Sequence, residues 1–224
     1  MHNYAYLVFN LLVFVPVFIL SLKTDVKPHR HWRAFIGTVL LVSVPFLLWD
    51  MWAVSRQHWD FNSNYVLTQR IIGLPFEELL FFVTVPFAML YVWGVVRKYV
   101  TNTAIRLWVP LTALSVAAGS ATALLLLYWD NGYTRLAMIA TLIAIAIVAC
   151  SNLIFTKRFW VFQGALLAIF FVANWILTAV PVVVYSGVVI IGTKALTIPI
   201  EDFFFNFAFI NLFLVVFNWL DHRT

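Results

Sequence analysis

Charge is scarce in this chain. Only 10% of its 224 residues are Asp, Glu, Lys or Arg, against 64% apolar, and the mean hydropathy is +0.97. So few charges cannot cover a soluble domain, and the composition is that of a polytopic membrane protein in a single domain. Cysteine is nearly missing as well. The single Cys150 excludes an intrachain disulfide and fits no thiol-ligand pattern. Set within an apolar run, it reads as a small core residue. The sequence has no Gly-x-Gly-x-x-Gly and hence no recognisable nucleotide site. Neither an organic cofactor nor a metal is expected. Lysine is absent between Phe203 and Leu220, which argues against a retinal-type Schiff base in the last span; Lys194 lies before it in a loop. The N-terminal stretch lacks a charged leader region and a small-residue cleavage site, so Tyr4–Leu22 is expected to be a retained span.

What is present in quantity is apolar run length. Seven spans of roughly 18–22 residues can be drawn, at 4–22, 34–54, 75–95, 107–128, 136–155, 159–180 and 200–220. Lys23, Lys27, Arg30, Arg33, Arg97, Lys98, Arg106, Lys157, Arg158 and Arg223 then fall on one side, ten of the fourteen basic residues. Arg56, Arg70, Arg135 and Lys194 fall on the other. By the positive-inside rule the N-terminus is expected outside and the C-terminus in the cytoplasm. These loops account for the net charge of +5, and nothing suggests nucleic acid. The acids are biased the other way. Only Asp25 and Asp221 fall inside, whereas Asp50, Asp60, Glu77, Glu78, Asp130, Glu201 and Asp202 lie toward the outer face.

Two acidic motifs stand out. Pro75-Phe76-Glu77-Glu78 continues into Leu79-Leu80-Phe81-Phe82, and Pro199-Ile200-Glu201-Asp202 continues into Phe203-Phe204-Phe205-Asn206. They lie 124 residues apart and suggest a tandem repeat. Residues 1–100 form one unit, 131–224 the other, with a connecting helix in 101–130. The expected fold is therefore all-α and integral to the membrane, seven transmembrane helices in two parallel three-helix repeats joined by a central helix. Parallel repeats of this kind are an established membrane architecture. A pseudo-twofold axis along the membrane normal would bring the acid pairs face to face. The two longest loops, 55–74 and 181–198, each lead into a motif. In the second, Val182–Ile191 is β-branched on either side of Ser186-Gly187 and is expected to form a hairpin or an apolar flap.

A single Pro-x-Glu-Glu is an ordinary helix start, since acids there meet the positive end of the helix dipole. Four carboxyls at one membrane depth repel one another and are costly to desolvate, which points to a built site. Successive helical residues point about 100° apart, so one acid of each pair should face the interior while its neighbour supports it. An acid that keeps its proton can donate it, and one that stays ionised can accept one. Glu77, Glu78, Glu201 and Asp202 are the candidate catalytic residues. Aromatic faces stabilise a nearby cation, and the chain carries 22 Phe, 10 Trp and 8 Tyr. Most of these belong to lipid-facing bulk or interfacial belts. Phe81, Phe82 and Phe205 lie close to the acids, with Trp49, Trp52, Trp59 and Phe61 before the first motif and Trp175 and Tyr185 before the second. Asn206, one turn after Asp202, could hold its carboxyl. Asp50 and Asn174 are further polar groups within or at the edge of the spans, where helix packing is the alternative role.

Trp49-Asp50, then Trp59-Asp60-Phe61-Asn62, then Gly73-Leu74-Pro75-Phe76-Glu77-Glu78 resembles the first half of the small integral-membrane lycopene cyclases. Asn174, Leu177-Thr178-Ala179 and Pro181, followed by Ile198-Pro199-Ile200-Glu201-Asp202-Phe203, is similar to their second half. In that family the halves occur as two subunits, as one fused chain, or joined to phytoene synthase. The resemblance covers nearly the whole chain and is of the fused form. It implies cofactor-independent cyclisation of the ψ-ends of lycopene to β-rings, giving β-carotene by way of γ-carotene. An acid protonates the terminal double bond at C2, the C5–C6 double bond attacks the tertiary cation, and a carboxylate removes the C6 proton. Lycopene and other acyclic carotenoids, dissolved in the bilayer, would be the substrates, with a lipid-side entrance. Association into a homo-oligomer or with other carotenoid enzymes is left open. A hydratase acting on the same alkene is the nearest alternative, and a proton-coupled transporter a more distant one.

Overall fold

Seven helices long and apolar enough to cross a bilayer make up most of residues 2–221, the part of the chain described by this computed structural model. They are α1 (Ala5–Lys23), a composite second span over Pro28–Ser55, α4 (Phe76–Tyr99), α5 (Trp108–Leu127), α6 (Gly132–Ala149), α7 (Lys157–Ala179) and α8 (Ile200–Asp221). The second span is built from a 3-10 turn at Pro28–His31, α2 (Trp32–Thr38), a π turn at Val39–Ser43 and α3 (Val44–Ser55). The π turn ends two residues before Pro45, which is the second residue of α3. A proline has no N–H to give and its ring collides with the carbonyl four residues back, and a one-residue bulge relieves both problems.

Five spans lie within four residues of those drawn from the sequence, and the second starts six residues earlier, at Pro28 instead of 34. The fifth span differs at both ends. It runs from Gly132 to Ala149 instead of 136–155, because Asn131 is extended and a separate 3-10 turn, Asn152–Phe155, tucks Ile154 into the core. Cys150 is therefore exposed at a helix end and is not a core residue.

The helices pack both within each half of the chain and crosswise between the halves. α1 lies on α4 and α6 on α8, while α2 and the π turn pack on α8 and α7 packs on α4. Small side chains set the closest approach, with Ala137, Ala144 and Ala208 fully buried, as expected where lipid removes the hydrophobic drive for association. Interhelical hydrogen bonds add to it. Thr141 Oγ1 donates to the Phe204 carbonyl at 3.0 Å, Thr84 Oγ1 to Asn10 Oδ1 at 2.7 Å, and Gln163 Nε2 to Asn211 Oδ1 at 2.7 Å. Aromatic edges fill the centre, among them Phe82 on Phe209 and Trp93 on Phe162, both at 5.2 Å between centroids.

The long loops cover one end of the bundle, the end where α4 and α8 begin. There, β1 (Trp59–Phe61) pairs antiparallel with β4 (Val183–Tyr185), so Trp59 opposes Tyr185, Asp60 opposes Val184 and Phe61 opposes Val183. Val182–Ile191 forms no hairpin of its own, because its first residues find their partner in the other loop. Tight hairpins stand instead immediately before the acidic motifs. β2 (Arg70–Ile71) pairs with β3 (Leu74–Pro75), and β5 (Lys194–Ala195) with β6 (Ile198–Pro199). The first turns through Ile72 and Gly73 with φ of 51° and 84°, a pair of left-handed residues that suits a two-residue hairpin.

Candidate active site

The two motifs share one backbone plan, although Glu201 Oε1 also accepts from the Thr134 hydroxyl at 2.7 Å, a bond without a counterpart at Glu77 among the described residues. Each hairpin register recurs 124 positions later, from Arg70–Pro75 to Lys194–Pro199. Phe76 N–H donates to the Gln69 carbonyl at 3.3 Å, and Ile200 N–H to that of Thr193 at 3.1 Å. Glu77 Oε1 accepts the Leu67 N–H at 2.7 Å, and Glu201 Oε1 accepts the Ile191 N–H at 2.7 Å. The first acid of each pair is thus fully buried and bound to the backbone of the preceding loop. Neither lines the central cavity. Their position is that of anchors.

The second acids face inward. Glu78 and Asp202 are both buried and both line one cavity of about 370 Å3 between α1, α4, α7 and α8. Helical spacing continues each lining stripe away from the acid, through Phe81 and Val85 on α4 and through Phe205, Asn206 and Phe209 on α8. Trp59, Phe61 and Tyr185, from the paired strands, line it at the acid end. At its sides the lining includes Leu12 of α1 and Ile169 of α7, which are 68% and 52% exposed. The cavity therefore reaches the apolar outer surface of the bundle.

Each inward acid is held differently. Glu78 Oε2 accepts from the Tyr6 hydroxyl at 2.7 Å, and the buried carboxyl of Asp50 stands beside it in the lining of the same cavity. Asp202 Oδ1 accepts from the hydroxyls of Tyr133 at 2.8 Å and Tyr185 at 3.0 Å, and Oδ2 accepts from Asn174 Nδ2 at 2.8 Å. The Tyr133 and Tyr185 rings stack at 5.5 Å. In the Tyr185 loop, burial and the Asp202 charge push the phenol well above its usual pKa, so it remains a hydrogen-bond donor.

Several sequence expectations fall in place here and others do not. Asp50, Asn174, Phe81, Phe205 and Asn206 all line the cavity. Asn206, however, makes no hydrogen bond to Asp202, whose oxygens are taken by Tyr133, Tyr185 and Asn174. Phe82 lies on the other flank of its helix, packed on Phe209 and Phe81 behind the lining. Trp49 sits one layer back, against Phe205 at 5.2 Å and Tyr133 at 6.2 Å. Trp175 is 45% exposed and points away on the outer face of α7. Sequence reading missed Tyr6 and Tyr133. Both stand at the start of the first helix of a half, but 127 residues apart, so the 124-residue offset of the motifs passes over them.

Among the described residues, no group of three or more His, Cys, Asp or Glu side chains could hold a metal ion.

The sequence profile of the lycopene cyclase family matches residues 3–96 and 130–220. The gap between the matched segments coincides with α5 and its flanking loops. A bifunctional lycopene cyclase/phytoene synthase from Neurospora crassa is 30% identical over 86 residues, which are 37% of this chain and 14% of that protein. No solved structure shows a significant match.

Proposed function

The chain belongs to the lycopene cyclase family, and from that premise we propose that it closes the ψ-ends of lycopene into β-rings by acid–base chemistry, with no net redox change. The observation that carries this reading is the facing pair of buried carboxyls, Glu78 and Asp202, at one end of a single aromatic-walled cavity. Cyclisation needs a proton delivered to the alkene and another taken from the ring, and two differently held acids can supply both. Phe81, Phe205, Trp59 and Tyr185 present π-faces or edges to the cationic intermediate between those steps. Lycopene is a hydrocarbon that resides in the bilayer. The exposed mouth at Leu12 and Ile169 gives it a lateral way in, without passage through water. Acyclic carotenoids with the same end-group are further substrates under this reading, and β-carotene forms by way of γ-carotene.

We place the acid end toward the outer leaflet from the excess of basic residues at the opposite end. Ser63, exposed in the long loop, and Cys150, exposed at the far end, report on this directly. An impermeant maleimide should label Ser63→Cys in intact cells and reach the native Cys150 only after permeabilisation.

Pigment analysis of lycopene-accumulating bacteria that express the chain tests the function. β-Carotene should appear with the parent and vanish with Glu78→Gln or Asp202→Asn. Oxygenated acyclic pigments would indicate the hydratase alternative, and unchanged lycopene, with protein in the membrane, would overturn the proposal.

A further inference from the structure

Asp50 and Asn174 occupy corresponding positions, 124 residues apart, and both line the cavity beside the inward acid of their own half, Asn174 by a hydrogen bond to Asp202 and Asp50 as a second buried carboxyl next to Glu78. They are chemically opposite. An amide Nδ2 can only donate, and with the Tyr133 and Tyr185 hydroxyls it brings three donors to Asp202. Three donors and no acceptor suit a carboxylate. A carboxyl beside a carboxyl requires a proton between the two, because ionised oxygens cannot donate. The Asp50–Glu78 pair therefore stores a proton, while the Asp202 cluster is arranged to receive one.

We infer that the two halves do opposite jobs, the Asp50–Glu78 pair protonating the alkene and Asp202 deprotonating the ring, with Asp50 and Asn174 as the positioning residues that set this direction. The inference rests on the cyclase reading above and assigns its roles. An O–H bond of the pair breaks and the C1–C2 π electrons form the new C2–H bond, leaving the cation at C1. The C5–C6 π electrons form the C1–C6 bond and move the cation to C5. The C6–H bond breaks, its electrons restore the C5–C6 double bond, and the proton passes to the Asp202 carboxylate. One proton enters and one leaves, and exchange with solvent resets both acids before the next ring.

The groups charged or titratable around this site are Tyr6 and Glu77 on the first side and Tyr133, Tyr185 and Glu201 on the second. Tyr6 donates to Glu78 alone, so one hydroxyl serves the proton store and two serve the acceptor.

The test is turnover in D2O by membranes carrying each variant, with deuterium located both in products and in recovered lycopene. The parent should give β-rings bearing one deuterium at C2. Asp50→Asn should cut conversion at least a hundredfold and return lycopene without deuterium, and Asp50→Glu should recover part of the rate. Asn174→Asp, nearly isosteric, turns the acceptor side into a copy of the donor side. It should lower cyclisation at least tenfold while recovered lycopene carries deuterium at its ends, or while rings with a displaced double bond accumulate. Deuterated lycopene from Asp50→Asn, or parent-like cyclisation by Asn174→Asp, overturns the division of roles while leaving the cyclase intact. A parent that fails to cyclise lycopene overturns the function itself, and that outcome is read from the parent alone.

Discussion

Replacing Tyr185 by Phe removes one of the three donors on Asp202 and little else. A hydrogen bond to a charged group contributes roughly 1.5–3 kcal/mol, so the initial rate of cyclisation should fall about tenfold to a hundredfold with protein level unchanged. Glu77 and Glu201 should behave otherwise. Their Oε1 atoms satisfy the Leu67 and Ile191 amides, and losing that acceptor leaves a buried N–H unpaired at a cost of about 1–3 kcal/mol. Glu77→Ala or Glu201→Ala should lower the unfolding midpoint in detergent, with the Gln variants milder because they keep the acceptor oxygen. Parent-like stability together with lost chemistry would return both residues to the list of catalysts. The motifs announced all four acids in the sequence, and the 100° helical step announced that the members of each pair would face differently. Which member faces inward depends on where the loop amides lie, and no periodicity encodes that. The same limit explains Trp175, whose aromatic character and place before the second motif marked it in the sequence, while the rotation of α7 turns it to the lipid.

The loops that close the acid end are the least legible elements, because their pairing is with each other and not with their neighbours in sequence. Two β-branched runs around a Ser-Gly turn have hairpin chemistry, yet β4 takes β1 as its partner. Asp60 and Val184 sit opposite each other between the flanking bonds from Asn62 N–H to the Val182 carbonyl and from Ser186 N–H to the His58 carbonyl. Val184→Pro removes a ladder N–H. Loss of cyclisation with unchanged helical circular dichroism is the expected result, since Tyr185 would leave Asp202 while the spans stay packed. His58, beside β1, is held below its usual pKa, first by burial and then by the Arg135 and Arg56 charges. A depressed folded value means that the loop's stability from this group is present above the unfolded pKa of about 6.5 and is lost as pH falls through the folded one. Acidification should therefore lower the protection of the β1 and β4 amides relative to their intrinsic exchange rates at the same pH, and His58→Phe should remove that dependence. At the first hairpin, Ile72 is β-branched, 74% exposed and left-handed. Ile72→Gly should be stabilising by about 1 kcal/mol, since the strain goes and no buried contact is lost.

At the scale of the whole molecule, composition and run length already required seven spans, and the doubled motif suggested two matching units. The crosswise packing, in which α7 lies on α4 and α2 on α8, could not be read from one-dimensional spacing, because it depends on which apolar faces meet. It puts the cavity between helices from both halves, so its size is a property of the assembly. Ala173 lines that cavity beside Asn174 without joining the acid network. Ala173→Phe should reduce conversion by occupying the space of the substrate while stability in detergent stays near the parent value. The strand pair has a further consequence. Asp60 opposes Val184, its own counterpart at the 124-residue offset, and Trp59 and Phe61 oppose the counterparts of each other. A strand with that registration is self-complementary: placed on a free half, it carries the geometry to clasp a second identical half. The continuous chain makes that clasp heterologous and free to diverge, so a single change between acid and amide, as at positions 50 and 174, alters one side of the cavity without repeating itself on the other.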